Sequence, residues 1–413
     1  MAAPHFHPLS VKRVSPEAAG AMAITLAVPS ELRGAFAFKP GQFLTLRAVV
    51  NGESVRRSYS ICSSQQQYAK AGEIEVGVKP VAHGVFSNWA VKLLAGDVLD
   101  VMPPEGRFSP RAVALLPIFA ESSAEPSAKP STETPIQAAA LPASTHRVAF
   151  AAGSGITPVL SIIASTLQGE PGSRFTLVYA NQKVNTIMFN EALQDLKDRY
   201  PARLTLIHVL SRQAQDVPLL GGRLDAARVA ELLRVLLPVQ YIDEAFICGP
   251  EGMIDATEAA LLSAGLAKER IHTERFFSAD PPAPKTSDSR PVSVDRPENS
   301  VTTNTIANYS IRISEKALFD PQCALQIVLD GKTHALSMGA QDKVLDVALA
   351  AGLDLPYACR GGVCCTCRAR VLQGEVEMIK NFTLEQWEID KGFVLTCQAR
   401  PLTAEVTVSF DER

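Results

Sequence analysis

No stretch of the 413-residue chain approaches the roughly 18 consecutive apolar residues of a membrane-spanning helix, so no span and no membrane partner is expected. The first residues, M-A-A-P-H-F-H-P, lack the basic and apolar segments of a leader, so a signal peptide is not expected either. There is no excess of positive charge: 40 Lys and Arg stand against 43 Asp and Glu, a formal net charge of −3, which points away from nucleic acid. Without a secretory leader, the eight cysteines argue for a reducing, cytoplasmic compartment and metal ligation rather than disulfides. What remains is ordinary globular composition, 46% hydrophobic and 20% charged. The length suggests about two to four domains.

The cysteines are not spread evenly. Residues 359–367 read C-R-G-G-V-C-C-T-C. Cys359, Cys364 and Cys367 give C-x4-C-x2-C, the plant-type spacing for a [2Fe–2S] cluster, and Cys397 is the fourth thiolate. Gly361 and Gly362 allow a tight bend that turns backbone N–H groups towards the sulfurs. A structural zinc site usually takes two short Cys or His pairs, and a second pair is missing. Unligated core cysteines seldom cluster this densely. Cys365 is read as filling a small-residue position, with a swap for one of the ligands as the alternative.

Three composition regimes divide the chain. Residues 1–116 carry short alternating runs, Leu9–Val14, Met22–Val28, Gln42–Val50, Val55–Ile61, Ile74–Lys79 and Val98–Met102, separated by turn signals such as Asn51-Gly52. They predict an antiparallel β-barrel. Residues 117–145 are rich in Pro, Ala and Ser and predict an extended insert. From 146 to 277 the pattern becomes strand–helix alternation, hence an α/β domain with a parallel sheet, whose ligands bind at the carboxyl ends of the strands. Gly153 and Gly155 stand at one such end, opening a helix, where a glycine lets backbone approach a dinucleotide phosphate. The third glycine of the Rossmann fingerprint is lacking, so alone the motif is weak. Residues 278–305, rich in Pro, Ser, Asp and Thr, predict a flexible linker. Residues 306–413 predict strands at Tyr309–Ile313 and about Asp330-Gly331, a helix Val344–Ala351 stopped by Gly352, and further strands after the cysteine loop.

With these motifs in place, the last domain resembles a plant-type ferredoxin of β-grasp α+β fold. The first two resemble the ferredoxin–NADP reductase family. The whole chain, apart from the two inserts, resembles reductase components of multicomponent oxygenases, and among them the reductase subunits of phenylacetyl-CoA epoxidases. The resemblance implies FAD in the barrel. Within R-R-S-Y-S-I-C-S, R-x-Y-S (Arg57 to Ser60) is similar to the family's flavin motif: Arg57 for the pyrophosphate, Tyr59 for the isoalloxazine, Ser60 near the hydride-accepting N5, with Ser58 between them. The next flavin segments are V-G-V-K, with Val78 and Lys79, and H-G-V-F-S, with Gly84, Val85 and Ser87. His83 is taken as a loop residue.

The resemblance further implies a pyridine nucleotide. Gly153, Gly155 and Thr157 match G-x-G-x-T-P, and Cys248, Gly249 and Pro250 give C-G-P, whose cysteine faces the nicotinamide in the family. An acidic ribose ligand is missing after the second strand, in Tyr179-Ala180-Asn181-Gln182, while Ser211-Arg212 is similar to a pair that takes a 2′-phosphate. NADPH is therefore expected over NADH. Phe276 in E-R-F-F is a candidate aromatic at the flavin. Each residue has a plainer alternative: Cys248 as a packing residue, Arg212 as a solvated cation, Phe276 as a core aromatic. The expected acceptor is an oxygenase, by resemblance the di-iron epoxidase of phenylacetyl-CoA. The alternatives are another aromatic-ring oxygenase or hydroxylase, or an iron–sulfur carrier whose front domains are only a docking scaffold.

Overall fold

The computed structural model describes residues 5–111, 145–276 and 322–412. The expected insert (but for Thr145), the expected linker and the expected strand Tyr309–Ile313 lie outside the described residues.

The first domain is one antiparallel sheet in the order β4-β3-β6-β1-β2-β5. Its strands are β1 (His7–Pro16), β2 (Met22–Ala27), β3 (Phe43–Val50), β4 (Glu53–Ser60), β5 (Glu73–Val78) and β6 (Val98–Val101). All six follow the predicted runs, because alternation sends Leu9, Val11, Ile24, Leu26, Leu44, Leu46, Ile74 and Val76 into one core. A bridge between Ile61 and Val76 brings the two end strands together, so the sheet curls towards a barrel. Helix α2 (Val85–Ala90) begins in H-G-V-F-S, where Ser87 suggests a helix start, whereas α1 (Gln65–Ala71) has no such sign. Helix α1 has no apolar period to betray it; Ser64 caps it by accepting from the Gln67 N–H at 3.1 Å, and Gly72 closes it with φ +66°.

The second domain is a five-stranded parallel sheet, β11-β10-β7-β8-β9. It comprises β7 (His146–Ala152), α3 (Ile156–Gly169), β8 (Arg174–Asn181), α4 (Asn190–Arg199), β9 (Leu204–Leu210), α5 (Ala226–Val235), β10 (Glu244–Gly249), α6 (Glu251–Ser263) and β11 (Ile271–Arg275). Strand β11 was not predicted. It is short and polar, H-T-E-R after one Ile, and it is a strand because it pairs in parallel along β10 at the sheet edge. The two domains share a core in which Ala21, Ala23, Cys62 and Phe108 of the first meet Ile156, Val159 and Ile163 of the second.

The third domain has the mixed sheet β13-β12-β18-β14-β16 and a small pair β15-β17. Its elements are β12 (Gln322–Leu329), β13 (Lys332–Gly339), α7 (Val344–Ala350), β14 (Arg368–Gln373), β15 (Val376–Met378), α8 (Gln386–Asp390), β16 (Phe393–Leu395), β17 (Ala399–Pro401) and β18 (Glu405–Ser409). Asp330 and Gly331 both take positive φ, +49° and +73°, which is the twist a two-residue hairpin demands. Helix α7 lies on the sheet through Val344, Leu345 and Ala348, the β-grasp arrangement.

Candidate functional site

The nucleotide end is built by backbone. Gly153 has φ +53°, and its carbonyl accepts the hydroxyl proton of buried Tyr179 at 2.8 Å, which fixes the turn above β7. Gly155 is required for a different reason: a Cβ there would stand 2.1 Å from the Cys248 carbonyl oxygen. The two expected motifs therefore touch through their backbones. Gly249 is less constrained, a Cβ there meeting the flexible end of Met253 at 2.7 Å and Ala152 Cβ at 3.1 Å, and Pro250 stands at the N-cap of α6. Thr157 is buried; its hydroxyl donates to the Ser154 carbonyl at 3.0 Å. Its methyl would be 2.7 Å from a Cβ at Gly77, so β5 of the barrel packs directly onto α3. The result is a cradle at the N-terminus of a 14-residue helix, suited to a phosphate. Arg212 is exposed at the carboxyl end of β9, its N–H bonded to the Gln182 carbonyl at 2.8 Å and that of Ser211 to Asn181 at 2.9 Å.

The flavin segments lie on β4, β5 and α2. Ser60 ends β4 and is buried. Tyr59 is half-buried, tilted against Phe86 with ring centroids 5.7 Å apart. Arg57 folds back to donate to the Arg56 carbonyl at 2.7 Å. Ser87 Oγ accepts from the Val81 N–H at 3.3 Å, and a Cβ at Gly84 would collide with Val81 and with that hydroxyl, so the loop closes only on glycine. Val85 is exposed. Val78 and Lys79 follow on β5 and just after it. The Val78 side chain is in the barrel core, leaving only its backbone to a cofactor. The Lys79 ammonium lies 3.9 Å from where a Gly153 Cβ would be, beside the glycine turn.

Glu274 on β11 was missed by the sequence reading. Register places it opposite Cys248, and its carboxyl accepts from Ser60 Oγ at 3.2 Å and from the Cys248 thiol at 3.9 Å. Burial lifts its pKa to about 8, against the pull of those two hydrogen bonds. Burial likewise holds Cys248 well above an ordinary thiol, so it is neutral. The only sequence signal was the glutamate beginning E-R-F-F; its meaning depends on which strand it pairs with.

The four expected cluster cysteines are brought together in two pairs. Cys359 interacts with Cys364, and Cys367 with Cys397. The Cys364 thiol, and then the Gly361, Val363 and Cys364 N–H groups, hold Cys359 below an ordinary thiol, which favours the ligand-ready thiolate. Two thiolates for each of two irons is what a [2Fe–2S] cluster asks. Among the described residues, no three His, Cys, Asp or Glu side chains gather as one metal ion would require. The loop bends at Gly362 (φ +81°), but also at Arg360 (+54°) and Cys365 (+57°), where no glycine was available to advertise it. Cys365 turns away towards Thr383 and Arg107.

All three parts meet in one pocket. Phe43, Arg57, Ser58, Ser60, Glu274, Arg275 and Phe276 line it together with Cys359, Val363 and Cys364. The R-x-Y-S strand, the Glu274 carboxyl and the cysteine loop thus share one pocket, an arrangement suited to a flavin and iron–sulfur electron-transfer reductase.

Comparison with known proteins gives the same three parts. A family described as oxidoreductase FAD-binding domain matches residues 10–109, oxidoreductase NAD-binding domain 150–259, and 2Fe-2S iron-sulfur cluster binding domain 327–402. The chain is 40% identical to a component of 1,2-phenylacetyl-CoA epoxidase from Escherichia coli K12, over 99% of this chain and 98% of that one. It is 34% identical to the ferredoxin reductase component of 3-ketosteroid-9-alpha-monooxygenase from Rhodococcus rhodochrous, over 97% and 96% of the two chains. Phthalate dioxygenase reductase has the same fold, with a TM-score of 0.53 at 18% identity over 98% of both chains. The chain belongs to the family that holds this epoxidase component and the ferredoxin reductase components of multicomponent monooxygenases. It is an oxidoreductase that carries electrons to an oxygenase through FAD-binding, NAD-binding and [2Fe–2S] domains. Among the described residues no helix is long and apolar enough to cross a membrane.

Proposed function

We propose that this chain takes electrons from NADPH and delivers them to a di-iron epoxidase acting on phenylacetyl-CoA, in the cytoplasm. The observation that carries the reading is the single pocket that joins Ser60, Glu274 and Phe276 to Cys359 and Cys364. Bound FAD accepts two electrons together and a [2Fe–2S] cluster takes them singly, which is why both belong on one chain.

The chain's own groups bind and orient. Gly153 and Gly155 leave room for the nucleotide phosphates, and Lys79 and Arg212 supply positive charge there. Arg57, Ser58, Gly84, Val85 and Ser87 hold the flavin phosphates, and Tyr59 covers the ring. Ser60, Cys248 and Glu274 form a hydrogen-bonded set at the hydride-transfer face, with a proton held on Glu274 at neutral pH. Thr157 and Gly249-Pro250 shape the nicotinamide side, and Phe276 walls the flavin pocket. Cys359, Cys364, Cys367 and Cys397 ligate the cluster. The preference for NADPH is supported by the lack of an acid after β8 and by Arg212, tethered beside that strand end through Gln182.

The test is anaerobic titration of the purified holoprotein, first with NADPH and then with NADH, followed by visible absorption. Flavin and cluster bands bleaching at lower NADPH than NADH supports the reading. Bands inert to both nucleotides would leave only an iron–sulfur carrier. A second acceptor class is favoured by the relative whose name gives it a 3-ketosteroid substrate. Electron delivery to a purified di-iron epoxidase, compared with a ring hydroxylase, separates the two.

A further inference from the structure

Arginines of the barrel hold the ferredoxin domain at two points, one before and one after the cysteine loop in sequence. At the first Arg56, 7% exposed, donates to the Leu355 carbonyl at 2.8 Å and pairs with Asp354. Its guanidinium lies 4.3 Å from the Tyr357 ring centroid and 4.9 Å from that of Phe6, stacked contacts that suit a planar cation. Arg47 reaches the same Asp354 at 3.6 Å. At the second both guanidinium nitrogens of Arg107 fork onto the two oxygens of Glu388. Between the two grips Phe43 packs against Ala358 and Cys364.

The second grip has an asymmetry. Glu388 is 0% exposed, yet Arg107 is 38% exposed. Glu388 also binds Arg368 of its own domain, and one of its oxygens accepts from the Glu385 N–H at 3.1 Å. Burial alone would raise this carboxyl; Arg107, the Glu385 N–H and Arg368 together bring it below its ordinary value. If Arg107 leaves, the buried carboxylate keeps a cation and a backbone donor, so opening does not strand a buried charge. Arg56 on leaving gains water, which a permanent cation favours. The contact has the make-up of a reversible dock rather than a fused core.

We propose that Arg56 and Arg107 are positioning residues: a two-point electrostatic dock that holds Cys359 and Cys364 at the flavin pocket for internal electron transfer, and lets go so that the face covered by Phe43 becomes free for the oxygenase. This rests on the reading of that pocket and those cysteines given above. The step it positions moves one electron out of reduced flavin and one into the oxidised cluster, with no bond made or broken by either arginine. The same cluster face cannot lie against Phe43 and against a second protein at once. Ion pairs at a partly wet interface weaken with salt, which supplies a handle on release.

The experiment uses the full-length holoprotein, wild type, Arg56→Gln/Arg107→Gln and Arg56→Lys/Arg107→Lys. Stopped-flow absorption under saturating NADPH separates flavin reduction from cluster reduction, and small-angle X-ray scattering reads the radius of gyration without any turnover. The expectation for the Gln pair is normal flavin content and flavin reduction, cluster reduction slower by about tenfold or more, and an expanded particle. The Lys pair falls between. Wild type expands, and its cluster phase slows, as NaCl rises from about 0.05 to 0.5 M. A Gln pair as compact as wild type, or a wild type whose size ignores salt, overturns the dock. A wild type whose flavin ignores NADPH overturns the functional reading instead, and scattering still decides the dock.

Discussion

Ser60 donates its hydroxyl to the Glu274 carboxyl across 3.2 Å, tying the last residue of the barrel's flavin-motif strand to the edge strand of the nucleotide sheet. Cys248 closes the set from 3.9 Å. Burial lifts Glu274 from an ordinary 4.5 to about 8, so the folded protein keeps this carboxyl protonated at neutral pH. Above that it ionises and sets a negative charge at the face proposed above for hydride transfer. Flavin reduction should therefore fall by about tenfold or more as pH climbs past 8, and Glu274→Gln should flatten that limb. The stability sign follows: the proton-bound form is fully favoured below the unfolded pKa and that contribution is lost as pH rises through the folded one. The Gln variant should gain Tm relative to the parent between those limits and hold the gain above them. A limb that survives the substitution belongs to another group.

Cys397 is 1% exposed and pairs with Cys367, apart from the Cys359–Cys364 pair. Its sulfur takes a further contact from Gln398 Nε2 at 3.6 Å. Cys397→Ser should abolish or destabilise the cluster absorbance while NADPH still bleaches the flavin. Iron content and the visible spectrum of the purified variant decide this. A cluster of unaltered spectrum would mean that the second iron takes another ligand, and Cys365 would be the first to test.

How much of this was legible depends on whether the signal is local. The C-x4-C-x2-C spacing and the turn at Asp330-Gly331 are local, and both could be read directly. So were the six barrel strands, because alternation is printed in neighbouring residues. The pairing of Cys359 with Cys364 and of Cys367 with Cys397 was not, since it depends on where β16 delivers Cys397. Glu274 escaped for the same reason: only the parallel register of β10 and β11 sets it against Cys248. The approach of Lys79 to Gly153 is equally non-local, since four methylenes carry its charge from the end of β5 to the turn after β7. Arg56 attracted no role beside Arg57, and its partners stand almost 300 residues away, the Arg56–Asp354 pair spanning 298 positions.

Arg212 is the chain's own candidate for reading the nucleotide's 2′-phosphate. Its backbone is fixed by the Gln182 carbonyl, while its side chain is exposed and free to close on an anion. Arg212→Gln should raise KM for NADPH roughly tenfold to a hundredfold, the usual worth of a charge-assisted hydrogen bond, with kcat for flavin reduction little changed. The KM for NADH should barely move. Equal losses with both nucleotides would show that Arg212 acts on the fold or on a phosphate common to the two.

Gly153 and Gly155 belong to one motif but should fail differently. Gly153 needs its positive φ, while a Cβ there meets only the Lys79 ammonium at 3.9 Å. Gly153→Ala should thus cost about 1–2 kcal/mol of backbone strain, and nucleotide should still bind, if more weakly. At Gly155 the obstacle is the Cys248 carbonyl oxygen, 2.1 Å from a new Cβ, and both sides of that clash are backbone. No rotamer relieves it, so either the turn or the end of β10 must move. Gly155→Ala should cost more than the strain at Gly153 and uncouple the glycine turn from Cys248 and, through it, from Glu274. Nucleotide-driven flavin reduction should be lost in that variant, while the cluster spectrum, set in another domain, stays as it was. Thermal melts with NADPH titrations of the two variants give the ranking, and the reverse order would show that the phosphate cradle depends on φ at Gly153 more than on the close approach at Gly155.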